Sequence, residues 1–245
     1  VMSEMQDYFP TKMYKRAEAR MAALLRSELS RLEKLGPLTL ETVKETLPEI
    51  LEFTRKYHEA FMGYLAATLP QHENRVMCGA NCGNCCRHFP MSIEPFEQIA
   101  FYASIRERRD LFSYLEACHL RVEKFRTLYA QAKNEIPLAE DPEEKALHLF
   151  FENDFPCPFL LESGSCGVYD IRPVTCRMYF SETNPEYCTA RYLLTEKNRS
   201  FIVYLPDVIE ETIADVSSYY ENLELSESLY AGMLELNALE GKLFV

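Results

Sequence analysis

Four of the nine cysteines in this 245-residue chain lie within nine consecutive residues. This first cysteine loop reads Cys78-Gly79-Ala80-Asn81-Cys82-Gly83-Asn84-Cys85-Cys86. Its spacers are small, and glycine and asparagine accept the tight or left-handed backbone of a loop. Such a loop can direct several sulfurs and backbone N–H groups at one centre, as a thiolate-bound metal ion or an iron–sulfur cluster requires. The alternative is a loop of structural thiols or disulfides.

A second cysteine region supplies four more thiols, at Cys157, Cys166, Cys176 and Cys188. Cys157 and Cys166 lie on either side of a Glu-Ser-Gly-Ser segment between two apolar arms, which predicts a small hairpin. Pro173 suits the first turn of a short helix that carries Cys176. Four thiolates satisfy one tetrahedral zinc ion or one [4Fe–4S] cluster, so eight allow two centres, or one centre and additional structural thiols.

The adjacent pair Cys85 and Cys86 bears on which metal is bound. Neighbouring side chains diverge in a helix or a strand, so both reach one mononuclear ion only with strain. They suit different metals or different irons, or one ligand and one nearby thiol. The second region spaces its cysteines nine, ten and twelve residues apart, unlike the two short knuckles of a zinc ribbon. The sequence therefore favours an iron–sulfur centre, with [4Fe–4S] first, and zinc is the alternative.

Three residues between Cys166 and Cys188 are candidates for contacting the bound group. Thiolate centres carry negative charge, so the guanidinium groups of Arg172 and Arg177 can hold and tune them, with Tyr169 beside them. The alternative is that Asp170 and Arg172 pair locally and brace the turn.

Two other residues with metal-binding side chains are set outside the predicted ligand set. Cys118 falls on the apolar stripe of a predicted helix, where a free cysteine is commonly a structural residue. His88 follows Cys86 by two residues, and we interpret it as a loop histidine rather than a ligand. Acidic residues near position 210 lack the Glu-x-x-His pairs of a di-iron carboxylate site.

The two cysteine regions together resemble a known family. The residues that carry the resemblance are Cys78-x3-Cys82-x2-Cys85-Cys86, the segment Cys157-Pro-Phe-Leu, and Cys166-Gly-Val-Tyr-Asp-Ile-Arg-Pro-Val-Thr-Cys176-Arg. They are similar to the YkgJ-type, or CxxCxxCC, cysteine-cluster family, over about residues 78–188. The resemblance implies a zinc- or iron-chelating domain. The first spacer here has three residues, where the family name has two. A flagellin lysine methylase carries a similar cluster, which implies a possible enzymatic role.

The first cysteine loop also matches the spacing of the radical-SAM loop. That family expects alternating strands and helices around the loop, and an aromatic residue before the third cysteine. Asn84 occupies this position, and the surrounding sequence predicts mainly helices. We therefore do not favour a radical-SAM enzyme.

Apolar residues recur at three- and four-residue intervals on both sides of the cysteine regions and predict helices there. Glycine and proline mark several helix ends, such as Gly36-Pro37 and Pro70. The predicted helices cover about residues 12–35, 40–47, 48–69, 94–106, 109–133, 143–151, 207–220 and 226–240. Extended segments are predicted at 88–93 and 201–205, and a loop at 136–142.

These elements predict a mainly α, bundle-like fold with a small irregular β and loop region that holds the cysteines. We expect one domain over residues 1–245. Its expected parts are an N-terminal helical scaffold (1–70), a cysteine-cluster core (71–205) and C-terminal helices (206–245).

Composition limits the classes of partner. Thirty-eight acidic residues against twenty-six basic ones give a net charge of -12, which argues against non-specific binding of nucleic acid or anionic lipid. No apolar run is long enough for a membrane span, and the N-terminal residues lack the apolar segment of a signal peptide. We therefore expect a reducing, cytoplasmic setting in which free thiols are available for metal.

The sequence supports three functions. The first is a cytoplasmic metal-cluster protein used in redox chemistry, sensing or metal handling. The second is an iron–sulfur enzyme that modifies protein side chains, with a protein substrate as its partner. The third is a zinc-stabilised interaction module. A pocket beside the centre would favour the enzyme, whereas full thiolate coordination without a pocket would favour structure or electron transfer.

Overall fold

The computed structural model describes residues 12–71, 76–79, 81–135 and 141–244. Over these residues the chain is mainly helical, and its strands form a two-stranded antiparallel sheet. The predicted fold class is therefore confirmed. No helix in this part of the chain is both long and apolar enough to cross a membrane. Most of the loop predicted at 136–142 lies outside the described residues, and the single domain stays a prediction.

The first three helices are α1 (Lys12–Leu35), α2 (Leu40–Glu45) and α3 (Leu47–Thr68), close to their predicted bounds. Gly36 follows α1 with a φ of 75°, a left-handed conformation that glycine adopts without steric cost. The Thr39 side chain accepts a backbone N–H from the first turn of α2 and so caps it. Local sequence signals therefore determine where these helices begin and end.

Among the residues that the structure describes, six further helices follow: α4 (Pro95–Ile105), α5 (Leu111–Glu135), α6 (Pro142–Glu152), α7 (Asp207–Ser218), α8 (Leu229–Ala238) and α9 (Glu240–Leu243). Helix α1 packs on α3 and α7, and α5 packs on α6 and α8. Helix α4 contacts both α3 and α8, so it joins these two groups. Their buried apolar residues belong to one connected hydrophobic cluster.

The sheet pairs β1 (Tyr179–Ser181) with β2 (Ser200–Ile202), and Ser181 lies opposite Ser200. The strand predicted at 201–205 is thus shorter than expected, and β1 was not predicted. Strands of three residues carry too little alternation to be recognised from sequence.

The segment predicted to be extended at 88–93 pairs with no strand in the described structure; His88 is extended, and Ser92 has a φ of 55°. Its backbone groups bond to the chain around the start of α8. The Ile93 N–H donates to the Glu227 carbonyl at 3.0 Å, and the Pro90 carbonyl accepts from the Leu229 N–H at 3.2 Å. These contacts hold the end of the first cysteine loop against the C-terminal helices.

Candidate metal centre

The first cysteine loop turns sharply between Cys82 and its adjacent cysteine pair. Asn81 has a φ of 65°, the left-handed conformation predicted for a residue of this type. Cys85 and Cys86 lie in a 3-10 helix, Asn84–Arg87. The Asn84 side chain donates to the Pro185 carbonyl at 2.5 Å, which fixes this loop beside the chain that leads to Cys188.

The hairpin predicted around Glu-Ser-Gly-Ser is present. Leu160 and Cys166 form an antiparallel bridge, and the Leu161 N–H donates to the Ser165 carbonyl at 2.9 Å. The Cys157 N–H donates to the Cys86 carbonyl at 2.7 Å, so the base of the hairpin is bonded directly to the first cysteine loop.

Two glycines allow the loop and the hairpin to interlock. A Cβ on Gly83 would lie 2.5 Å from Leu160 Cδ1 and 3.0 Å from the Gly164 carbonyl oxygen. Gly164 has a φ of 82°, and a Cβ there would overlap the Asn81 carbonyl oxygen. The Ser165 hydroxyl also donates to the Asn81 side chain. Only glycine therefore permits this approach of two regions that are distant in sequence.

Cys176 lies in a single turn of 3-10 helix, Thr175–Arg177, where a short helix was predicted. The helical frame holds this turn through the buried Glu97 of α4. Its carboxylate accepts the Val174 N–H at 2.8 Å and lies 2.7 Å from His58 Nε2 on α3. The position of Cys176 is therefore set by the helices.

Cys78 and Cys188 are placed by the sheet. The Ser181 N–H donates to Cys78 Sγ at 3.2 Å, and the Ser200 hydroxyl donates to Cys188 Sγ at 3.6 Å. Because Ser181 and Ser200 are cross-strand partners, the two thiols lie at the same end of the sheet. Pairing of the two short strands thus brings together cysteines 110 residues apart in sequence.

The eight predicted thiols line two adjoining cavities. The inner cavity, of about 50 Å³, is lined by Cys85, Cys86, Cys157, Cys166 and Cys176. The outer cavity, of about 740 Å³, is lined by Cys78, Cys82, Cys85, Cys86, Cys166 and Cys188. Within the described residues, no three His, Cys, Asp or Glu side chains are arranged to hold one metal ion. The thiols thus surround the cavities without converging on one point.

Burial raises the pKa of several of these thiols when no metal is bound. It raises the pKa of Cys78 to about 11, although the Ser181 N–H offsets part of the rise. It also raises the pKa of Cys82, which the Asn84 N–H partly offsets, and that of Cys176. Metal is bound by the thiolate, so its binding releases protons from these groups.

Cys85 and Cys86 behave as a pair. They are neighbours in one 3-10 helix, and each thiol affects the ionisation of the other. The hydrogen bond from Cys86, and then the positive charges of Arg172 and Arg87, lower the pKa of Cys85 to about 7. The same hydrogen bond, and then burial, raises the pKa of Cys86. Cys85 is therefore the partner that ionises first.

The two candidate arginines have different roles in the structure. Arg177 is buried and donates to the carbonyls of Arg172, Tyr169 and Asp170, at 2.6, 2.9 and 3.0 Å. It therefore braces the turn. Arg172 lies 4.8 Å over the Tyr169 ring, lines both cavities, and has a buried Nε without a hydrogen-bond partner in the described structure. This donor and its positive charge are available to an anionic thiolate centre.

His88 lies in the wall of both cavities, where its ring stacks on Phe151 at 4.2 Å and on Tyr179 at 5.2 Å. Burial lowers its pKa to about 4, so the ring stays neutral at physiological pH. Cys118 is fully buried on α5 and lines neither cavity.

The sequence analysis missed Arg121 and Tyr230. Arg121 is buried on α5, donates to the Pro156 carbonyl, and lies 4.9 Å over the Tyr230 ring, which lines the inner cavity. Its charge also acts on Cys157. The sequence contains one signal for Arg121, because this charged residue lies on the same apolar stripe of α5 as Cys118.

The described residues thus form a mainly α frame that presents eight thiols in loops around two adjoining cavities. Residues 77–192 match the family model CxxCxxCC, described as a "putative zinc- or iron-chelating domain". Over these residues the chain is similar to that family, as its motifs predicted, and the match contains all eight thiols. No curated protein and no solved structure matches the chain.

Proposed function

We propose that this protein holds an iron–sulfur centre, with a [4Fe–4S] cluster as the first choice, and uses it in redox chemistry, sensing or metal handling in the cytoplasm. The observation that supports this most is the donor set. Thiols from two distant regions surround adjoining cavities, and sulfur is the ligand that iron–sulfur clusters require. His88 stacks on two aromatic rings in the cavity wall, which favours a structural role for it over ligation.

The residues around the thiols also suit an anionic cluster. The Ser181 N–H already donates to Cys78 Sγ, and hydrogen bonds of this kind tune cluster potential. Arg172 supplies positive charge at the boundary of the two cavities. A bound cluster supplies one-electron transfer, while the chain sets its potential through these N–H groups, the guanidinium and burial.

The direct test is metal and acid-labile sulfide analysis of protein purified without oxygen. We expect a brown, oxygen-sensitive protein with iron and sulfide in matching amounts. Colourless protein with stoichiometric zinc and no sulfide would contradict the proposal and support a zinc-stabilised interaction module, because an all-thiolate site also suits zinc.

A second candidate is a protein-modifying enzyme similar to flagellin lysine methylase. It is favoured by the outer cavity, whose volume of about 740 Å³ leaves room for a substrate group beside Cys78 and Cys188. The test is to incubate the metal-loaded protein with a methyl donor and lysine-containing peptides, and to seek methylated lysine by mass spectrometry. Absence of the product with every peptide would leave the non-enzymatic function as the better account.

A further inference from the structure

We propose that the eight thiols form two separate centres of four thiolates each, one in the inner cavity and one in the outer cavity. This rests on the proposed function, that the thiols bind metal. The inner centre comprises Cys86, Cys157, Cys166 and Cys176. The outer centre comprises Cys78, Cys82, Cys85 and Cys188. Each takes a thiophilic group, either an iron–sulfur cluster or a zinc ion.

The cavity walls already separate most of the thiols. Cys157 and Cys176 line only the inner cavity. The thiols that line only the outer cavity are Cys78, Cys82 and Cys188. Three thiols line both: Cys85, Cys86 and Cys166. Five of the eight are therefore assigned by position alone.

Different elements hold the two groups. The outer thiols Cys78 and Cys188 are hydrogen-bonded to the sheet through the paired Ser181 and Ser200. A single centre for all eight thiols would have to draw these two away from the sheet. Two centres leave the sheet intact.

The inner thiols belong instead to the hairpin and to the turn held by α4. Cys166 is bridged to Leu160 in the hairpin, and the Cys157 N–H donates to the Cys86 carbonyl at 2.7 Å. Cys86 therefore lies at the base of the hairpin. This assigns Cys86 and Cys166 to the same centre as Cys157.

Cys85 lines both cavities and adjoins Cys86 in the 3-10 helix Asn84–Arg87. Neighbouring side chains reach one mononuclear ion only with strain, so Cys85 is assigned to the centre that does not contain Cys86. This assignment gives each group four thiols.

The inner centre has the positive charge that it needs. Four thiolates around one divalent ion carry a net charge of about −2, which is costly to bury without compensation. Arg172 lines the inner cavity, and Arg121 lies 4.9 Å over the ring of Tyr230, which also lines it. Each arginine has buried N–H groups without a hydrogen-bond partner in the described structure, at Nε in both and also at Nη2 in Arg121. Two guanidinium groups therefore lie close to the inner cavity.

The two centres differ in their access to solvent. Cys78 is exposed, and the outer cavity is large. The inner cavity is small and is lined by Phe101, Phe159 and Leu229 beside its thiols. The outer centre should therefore lose its metal to a chelator first.

The first test uses matched double variants of the full chain, prepared without oxygen. Iron, zinc and sulfide are counted per chain, with native mass spectrometry as a check. We expect two centres in the wild-type protein and in Cys118→Ser, whose thiol lies outside both cavities. The outer variant, Cys78→Ser with Cys188→Ser, and the inner variant, Cys157→Ser with Cys176→Ser, should each keep one.

The second test does not depend on whether the inner variant folds. Metal release from the wild-type protein into excess chelator should show a fast and a slow phase, and the outer variant should lack the fast phase. One centre per chain that disappears in both variants, or single-phase release, would overturn the division into two. Wild-type protein that binds no metal would overturn the proposed function as well.

Discussion

Cys176 and Cys118 make a matched comparison at the scale of single residues. Cys176 lines the inner cavity, whereas Cys118 is fully buried on α5 and lines neither cavity. Metal binding free energy is in part folding free energy, because the unfolded chain has no preformed site. Cys176→Ser should therefore lower the metal content by up to one centre per chain, and it should lower the melting temperature as well.

Cys118→Ser is the control. It should leave metal content unchanged and cost about 1–3 kcal/mol, because a hydroxyl is buried in place of a thiol. Metal analysis and thermal unfolding of the same samples provide the measurements. An equal loss of metal in both variants would show that Cys176 has no special role as a ligand.

At the scale of elements, the contact between the first cysteine loop and the hairpin depends on Gly164. Alanine there meets two penalties. The left-handed backbone costs about 1–2 kcal/mol for a residue with a side chain, and the new Cβ overlaps the Asn81 carbonyl oxygen. Gly164→Ala should separate the hairpin from the loop, and so reduce both stability and metal content.

Gly36→Ala separates these two penalties. Gly36 has a φ of 75°, but a Cβ there meets nothing within 4 Å. We expect it to cost about 1–2 kcal/mol and to leave metal content unchanged. Urea unfolding and metal analysis of both variants distinguish strain from overlap. Full metal content in Gly164→Ala would show that the interlocked glycines are not needed for the site.

At the scale of the whole molecule, Glu94 makes stability depend on pH. It lies just before α4, the helix that joins the two groups of helices, and accepts a hydrogen bond from Ser217 of α7. Burial raises its pKa from 4.5 to about 7, Glu97 and Glu227 add to the rise, and the Ser217 bond opposes it. The folded protein thus holds this proton more tightly than the unfolded chain does.

The contribution of Glu94 to the free energy of unfolding is fully present below about pH 4.5. It is lost as the pH rises to about 7, and the loss amounts to up to about 3 kcal/mol. Glu94→Gln should remove this part of the pH dependence and gain stability relative to wild type as the pH rises. Glu211→Gln, at an exposed position on α7, is the control. Denaturant unfolding at several pH values gives the comparison, and parallel curves for wild type and Glu94→Gln would contradict the prediction.

The sequence alone determined the helical frame and the chemistry of the site. Helix bounds follow from local signals, such as the Thr39 cap and the turn at Gly36, which act within a few residues. The similarity to a putative zinc- or iron-chelating domain follows from cysteine spacing, because thiols in a short loop of small residues have few other uses. The apolar stripe also predicted a buried position for Cys118, which is fully buried and lines neither cavity.

Only the tertiary structure decided which thiols line each cavity and which arginine lines both. The pairing of Ser181 with Ser200, the bond from Cys157 to Cys86, and the different roles of Arg172 and Arg177 join residues through contacts that no local pattern encodes. Three-residue strands and single turns of 3-10 helix have almost no periodicity of their own. They exist because the frame, through residues such as Glu97, holds their backbone groups within bonding distance.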